Sequence, residues 1–554
     1  MLKPISFLGG GGGAVSPFAA YAANSVTPEL VADFANATPF FGFDSAASDF
    51  ETMFTTGTTG LATTMDSDGN LKWNAHNLIK QSDGSNVGVN TEATSVATLD
   101  GTTPSGRDAH KISSSGGGDG SMRAFLNVQD PGEGGFLSSQ RLLKAGPGIT
   151  TISMNIAYMT SGNAAVFDLT DGTIVSNDNG LATIVDNGNG WYLCSIVAER
   201  GTNTVSQKRV FFDTVYSVAT DGSEYFWQGD LRCFRSNLGG MVDNPDTGTS
   251  LVLTAGAAVY LPRRDAYYGP TPTKGGLRFE SAAATNLLLN TATLSTQNVT
   301  TTNVNHTLHF TGTGTVTLTG TSTAGPLVGT GTAESDRVSL TFTPTAGTLT
   351  LTVSGTVSAA QLEVGDVPSS YIPNAGSTTT RALETLSIAG ANTPANTTAM
   401  SIAMKGLVSY ADVDASNTVI PYLWSTSTTL ASSATDLRGT ALRIQTTNTQ
   451  TGRPVFLSHD GNGGIISIPG SETQYTPGVN VAFNVASRVG STFLNGAAEG
   501  TALTQDTTTS LVDLTATAVR FGHINGAATY NGFISEFTIW GADIGDTGIE
   551  EAST

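Results

Sequence analysis

A two-residue period constrains this chain more than any other feature of its sequence. Thr315-Val316-Thr317-Leu318-Thr319 and Leu349-Thr350-Leu351-Thr352-Val353 alternate polar and apolar side chains, which puts one type on each face of a half-buried strand. Helix formers are scarce by comparison, and the 65 glycines sit mostly between alternating segments, where turns need positive φ or close chain approach. Short strands separated by Gly and Asn turns, with no crossover helices, favour two-sheet sandwiches over βαβ units. A single core stops growing near roughly 250 to 300 residues, so 554 residues imply three or four domains. The expected fold is mainly β: tandem antiparallel β-sandwich (jelly-roll) domains behind a flexible N-terminal anchoring segment.

One unit recurs along the chain. Asp66-Ser67-Asp68-Gly69-Asn70-Leu71-Lys72-Trp73 followed by Asn77-Leu78-Ile79 reads as a turn, a strand and the entry to a β domain. Thr273-Lys274-Gly275-Gly276-Leu277-Arg278-Phe279 before Asn286-Leu287-Leu288-Leu289 repeats that order. The first segment closes on Tyr225-Phe226-Trp227-Gln228-Gly229-Asp230-Leu231, and the second on Val357 to Gly365. Asn374-Ala375-Gly376-Ser377 is linker-like, and a last domain runs from about Leu383 to Trp540. The resulting division is 1–65 N-terminal attachment segment, 66–245 first sandwich, 246–375 second sandwich and 376–554 C-terminal jelly roll.

Ser335 to Gly347, Ala360-Gln361-Leu362-Glu363-Val364-Gly365, and Pro368-Ser369-Ser370-Tyr371-Ile372-Pro373 with Thr380-Arg381-Ala382 resemble the closing half of a module found in fibre and other structural proteins of tailed bacteriophages. Asn187-Gly188-Asn189-Gly190-Trp191-Tyr192-Leu193-Cys194-Ser195 is similar to another signature of that module. Tyr530 to Trp540 looks like the final strand of a concanavalin-like or laminin-G-like jelly roll. The resemblance implies carbohydrate-binding-module-like sandwiches on a virion surface and supplies no catalytic residue. The first copy departs from the second at Leu231-Arg232-Cys233-Phe234, where the second has Leu362-Glu363-Val364-Gly365.

Charge narrows the partners. With 25 basic against 45 acidic residues the formal charge is −20, which repels nucleic-acid backbones and anionic membranes. No run of about 18 apolar residues is present to span a bilayer. Cys194 and Cys233 are too few for a disulfide scaffold or a four-cysteine zinc site, and either pair with each other or stand as buried thiols. Lys3, a short apolar stretch and Ala20-Tyr21-Ala22 sketch a secretory signal, but Gly9 to Gly13 interrupt the stretch that should be helical. A peptide that docks on other tail or capsid proteins is the alternative.

Candidate chemistry is sparse. Glycosidases need two opposed carboxyl groups, and Glu536 stands alone in its strand without a Glu-x-Asp-x-Glu run. The six histidines are scattered, His306 and His309 fall on opposite strand faces, and neither a Gly-x-Ser-x-Gly elbow nor a His-Glu-x-x-His helix occurs. Asp66 to Asn70 reads as a turn rather than an EF-hand, because its glycine is misplaced and no glutamate follows at the twelfth position. No cofactor is implied, although structural calcium stays open at such loops. Sugar binding needs exposed aromatic platforms beside hydrogen bonders. In the C-terminal domain Tyr422, Trp424, His523, Asn525 and Tyr530 are the candidates.

The expectation is a non-enzymatic phage fibre or spike on the virion, homotrimeric, which contacts host cell-surface polysaccharide. The rivals are a purely architectural head-fibre or tail decoration protein, a glycan depolymerase and a secreted bacterial adhesin.

Overall fold

The computed structural model describes residues 17–36, 39–44, 46–58, 60–85, 95–114, 123–129, 135–159, 164–200, 207–215, 221–394, 398–411, 422–427, 437–445, 451–460, 465–471, 474–490, 492–504, 518–524, 527–528 and 530–554. Their regular structure is overwhelmingly antiparallel strand, as the alternation requires, and they form two compact units.

The first unit comprises residues 71–261 with 374–376. It is a sandwich of two sheets. One runs in the order Arg123–Gln129, Gln207–Thr214, Thr151–Ala157, Ala164–Asp168, Thr173–Asn177. The other runs Thr183–Asp186, Trp191–Glu199, Phe136–Lys144, Tyr225–Arg235, Asp108–Ser114, Ser95–Thr102. Ile152, Met154, Phe167, Val210 and Phe212 from one sheet meet Leu137, Leu143, Ile196, Phe226 and Leu231 from the other in one core. Cys194 and Cys233 lie in that core as free thiols.

The second unit comprises the described residues of 17–70, 262–373 and 377–554. It holds a small sandwich with sheets Gln297–Thr301, Gly347–Ser354, Thr315–Gly320, Leu327–Val328 and Val338–Phe342, His306–Gly312, Val357–Val364. The alternating Thr-Val runs place Val316, Leu318, Leu349 and Leu351 in its core.

This small sandwich repeats the larger one strand for strand. Omitting two hairpin strands and two edge strands of the first unit leaves the same order in both sheets. The entry asparagines show why. Asn77 Nδ2 donates to the carbonyls of Leu231 and Val252 (both 2.9 Å), and its Oδ1 accepts from the N–H groups of Ile79 and Cys233. Asn286 Nδ2 donates to Ala360 and Ile372 (2.9 and 3.0 Å), and its Oδ1 accepts from Leu288 and Leu362. Each asparagine is fully buried and ties the first segment, the closing strand and the segment beyond it into one knot. A bulge falls at the same step of each closing strand, with Asp230 and Ala359 at φ of 48° and 45°.

The C-terminal sandwich differs from expectation in where its strands originate. Its larger sheet runs from Ala46–Ala47 through Phe40–Phe43, Leu30–Asp33, Asn531–Trp540, Ala399–Tyr410, Gly478–Gly490 and Phe493–Ala498 to Thr501–Ala502. Facing it are Ile465–Pro469, Arg453–Asp460, Leu437–Gln445, Tyr422–Ser427, Ala518–Phe521, Thr385–Ile388 and Phe54–Gly57. The described part of the segment expected to be a flexible anchor is therefore built into this sandwich. Leu30–Asp33 pairs with Asn531–Trp540 and Phe54–Gly57 with Thr385–Ile388. The cause is apolar: Phe34, Phe41, Phe50 and Phe54 pack ring against ring in the common core, with Phe50 and Phe54 stacked at 4.8 Å. Residues 1–16 lie outside the described residues. Two boundaries move for similar reasons. Leu251 and Val252 are buried in the first unit, and Thr273–Glu280 pairs with Asn531–Trp540 as part of the C-terminal sandwich.

The Pro368–Pro373 segment locks the small sandwich within its unit. Ser369 donates N–H and hydroxyl to Glu363, and Ser370 does the same to Glu280. The Asn531 amide donates to the Pro368 carbonyl. Glu280 also meets Arg263 (2.7 Å), Arg278 (2.9 Å) and Arg381 (3.4 Å), and Arg263 further pairs with Glu384. The three guanidinium groups overcome the cost of burial and hold the Glu280 carboxyl well below the usual range.

Candidate functional site

Two copies of one sandwich in a single chain separate residues that hold the fold from residues that do something else. Both copies keep the asparagine knot and the bulge. Counting back from the knotted Cys233 and Leu362, Trp227 falls where the small sandwich has Thr356. By the same register Lys144 falls at Thr313 and Trp191 at Ser335. The fold therefore does not need these side chains.

In the first unit they line up. Trp191, Lys144, Trp227, Lys111 and Thr98 are consecutive register partners across five neighbouring strands. Leu143, Phe226 and Ile112, next to them in sequence, point into the core, so this row faces outward. Lys144 Nζ lies 5.6 Å from the centre of the Trp227 ring, and Lys111 Nζ lies 4.9 Å from that of Tyr225. Tyr225 and Trp227 meet edge to face at 5.0 Å, and the Trp227 indole N–H donates to Asp100 Oδ2 at 3.1 Å. Trp191 is almost fully buried against Leu142 and Ala109, giving the row an apolar floor. Lys111, Lys144, Tyr225 and Trp227 remain half-exposed.

The Tyr225 and Trp227 rings are thus each fixed from edge or face by a partner and keep accessible surface. Each ammonium sits near enough to a ring for a cation–π contact of about 0.5–1 kcal/mol. Fixed rings offer apolar faces to the CH groups of a pyranose, while the lysines and Asp100 offer hydrogen bonds to hydroxyls. Among the described residues no group of His, Cys, Asp or Glu side chains is placed to hold a metal ion.

Of the residues expected to bind sugar, Tyr530 turns inward. Tyr530 is fully buried, its hydroxyl donates to the carbonyls of Phe533 (2.9 Å) and Leu407 (3.1 Å), and its ring packs on Phe279. It holds the sheet together and offers no face to a ligand. Tyr422 and Trp424 lie on the strand Tyr422–Ser427, with Trp424 in register with Leu442 and Phe521. His523 lies on the short strand His523–Ile524, and Asn525 falls outside the described residues. The aromatic row of the first unit was signalled in the sequence by Tyr225-Phe226-Trp227, whose i, i+2 spacing puts two rings on one strand face. Nothing in the sequence showed that Lys111 and Lys144 flank that face.

The described residues define a tandem β-sandwich protein. No family model matches the chain, and no curated protein does. Among solved structures it is similar to the Ruminococcus gnavus IT-sialidase CBM40, at 14% identity and a TM-score of 0.22, over 29% of this chain and 84% of that one. It is also similar to the receptor binding domain of botulinum neurotoxin mosaic serotype C/D, at 13% identity and a TM-score of 0.23, over 30% of this chain and 39% of that one. The binding domain of botulinum neurotoxin DC in complex with SialylT matches at 14% identity and a TM-score of 0.23, over 30% and 38% of the two chains. None of what these proteins bind passes to this chain on likenesses of this size.

Proposed function

We propose that this chain is a non-enzymatic, glycan-binding surface protein, and that its place is a fibre or spike of a bacteriophage particle. The row Trp191, Lys144, Trp227, Lys111 with Tyr225 carries the glycan half of the reading. It is an outward aromatic face that the duplicate sandwich lacks, so packing alone does not account for it. The particle half rests on the resemblance of the Ser335–Arg381 region and of Asn187–Ser195 to phage structural modules. Host cell-surface polysaccharide is the partner this reading names. Homotrimeric presentation would turn weak single-site contacts into firm attachment by raising the effective concentration of neighbouring sites.

The test uses the full chain, because the C-terminal sandwich draws strands from both ends of it. Full-length protein carrying Tyr225→Ala and Trp227→Ala is compared with the parent for retention on host cells and on immobilised surface polysaccharide. At least a tenfold loss of retention, with unchanged melting, is expected. Undiminished retention removes this face from the binding function.

A further inference from the structure

The outer face of the large sheet in the C-terminal sandwich carries a second row. Phe40, Asp33, Glu536, Lys405 and Asn484 are successive register partners across five strands. Glu499 extends the row, its N–H donating to the Asn484 carbonyl at 3.0 Å. Phe41, Phe34, Phe537, Met404 and Val485, adjacent in sequence, all lie in the core, so the row points outward. At a strand spacing of about 4.8 Å, six positions run for roughly 24 Å across the sheet.

The face is covered along one side of this row, on the other side beside Lys405 and Glu536, and over Asp33 itself. On one side the next outward positions are Gly42, Val31, Thr538, Ala403, Ala486 and Ala497. Phe18 lies over Gly42, where a Cβ would come within 2.4 Å of its ring, and Ile549 and Ala552 of the helix Gly545–Ala552 join the alanines in a separate cluster. On the other side the hairpin of Arg263–Tyr268 and Thr273–Glu280 lays Ala266 and Tyr268 over Leu407 and Phe533. Between the two covers Glu536 and Lys405 stay partly exposed along a trough that opens past the half-buried Asn484, where Ala482 and Glu499 are exposed.

Groups along the trough are held in place. Asp33, almost fully buried, accepts from the Tyr21 hydroxyl (2.7 Å), from the Asn36 amide and from the N–H groups of Ala35 and Asn36 (both 3.1 Å). The Tyr21 ring stacks on Phe40 at 6.0 Å. Asn484 donates N–H and amide to the Glu499 carboxylate. Burial first, and Asp33 after Lys405, act on the Glu536 carboxyl and leave it raised above its ordinary value.

We propose that this trough is a second saccharide site, which takes an uncharged, hydroxyl-rich glycan chain laid across the strands. Three carboxylates against one ammonium make it a poor seat for an acidic polymer, whereas sugar hydroxyls both donate and accept. They suit a row in which Glu536 and the Asn484 side-chain Oδ1 accept, Lys405 donates, and the Tyr21–Phe40 stack closes one end with ring surface. Its electrostatics are opposite to those of the lysine-flanked face in the first unit, so one chain offers two chemically distinct sugar seats.

The experiment uses full-length protein carrying Tyr225→Ala and Trp227→Ala, which removes the first face and keeps failure of the two readings apart. Cellohexaose, maltohexaose and chitohexaose, with hyaluronan hexasaccharide as the acidic counterpart, are titrated by calorimetry. Binding of at least one neutral chain is expected, weakened tenfold or more by Lys405→Ala with Asn484→Ala and by Glu536→Gln at unchanged melting temperature. The proposal is overturned if no neutral chain binds, if those substitutions leave affinity unchanged, or if hyaluronan binds best.

Discussion

Asn286→Ala tests whether the asparagine knot is what makes the duplicated sandwich a closed unit. The side chain is fully buried and makes four hydrogen bonds, to Ala360, Ile372, Leu288 and Leu362, at 2.9 to 3.3 Å. Alanine leaves two carbonyls and two N–H groups without that partner in a place water does not reach. At a net ~1 kcal/mol for each bond the loss is about 4 kcal/mol. With a urea dependence of ~2 kcal/mol per molar, the unfolding midpoint of this unit falls by about 2 M. Urea titration of the full chain, followed by near-ultraviolet circular dichroism, reads that shift against Leu289→Ala, an exposed neighbour expected to change little. A midpoint shift below roughly 0.5 M for Asn286→Ala refutes the argument. Asn77→Ala, whose bonds repeat the pattern, is expected to cost the first unit a comparable amount.

Glu280→Gln strands Arg263, Arg278 and Arg381 around a neutral amide and is expected to cost about 3–5 kcal/mol, read by the same titration. Because the folded-state pKa of Glu280 is depressed, its contribution is present above the unfolded carboxyl value of about 4.3 and is lost as pH falls through the folded value. Stability measured from pH 6 to pH 3 should therefore fall less steeply in Glu280→Gln than in the parent. Burial pushes the Cys233 thiol up to about 12 and raises that of Cys194, so neither is expected to react with a thiol reagent at pH 8 until the chain is unfolded; rapid labelling of the native protein would contradict this. Deleting residues 1–57 removes four paired strands and the phenylalanine cluster from the C-terminal sandwich, and insoluble or molten protein is the expected product.

Much of the architecture was legible because strand periodicity is a local property. Thr315–Gly320 and Gly347–Ser354 follow their alternation directly, with Val316, Leu318, Leu349 and Leu351 inside. The repeated Asn-Leu entry was visible too, and the reason for it is the knot each asparagine ties. The candidate binding surfaces were less legible. Tyr530 stood beside turn residues and looked exposed, yet an aromatic in an alternating strand reads alike whether its face is covered or bare. Covering elements come from far away in the chain: the hairpin Arg263–Glu280 and the segment around Phe18 both pack on a sheet whose last strand ends at Trp540.

From its order of residues alone the chain determined its strands, their inward and outward faces and the duplication of one sandwich, because a period of two and a buried asparagine act over a few residues. Tertiary structure decided which outward faces stay open and which side chains meet on them. Lys111 and Lys144 flank Trp227 only through pairing between strands, and Asp33 stands beside Glu536 across about five hundred positions of sequence. Cross-strand register depends on how distant segments close a sheet, and that is settled by the burial of whole faces rather than by any local signal.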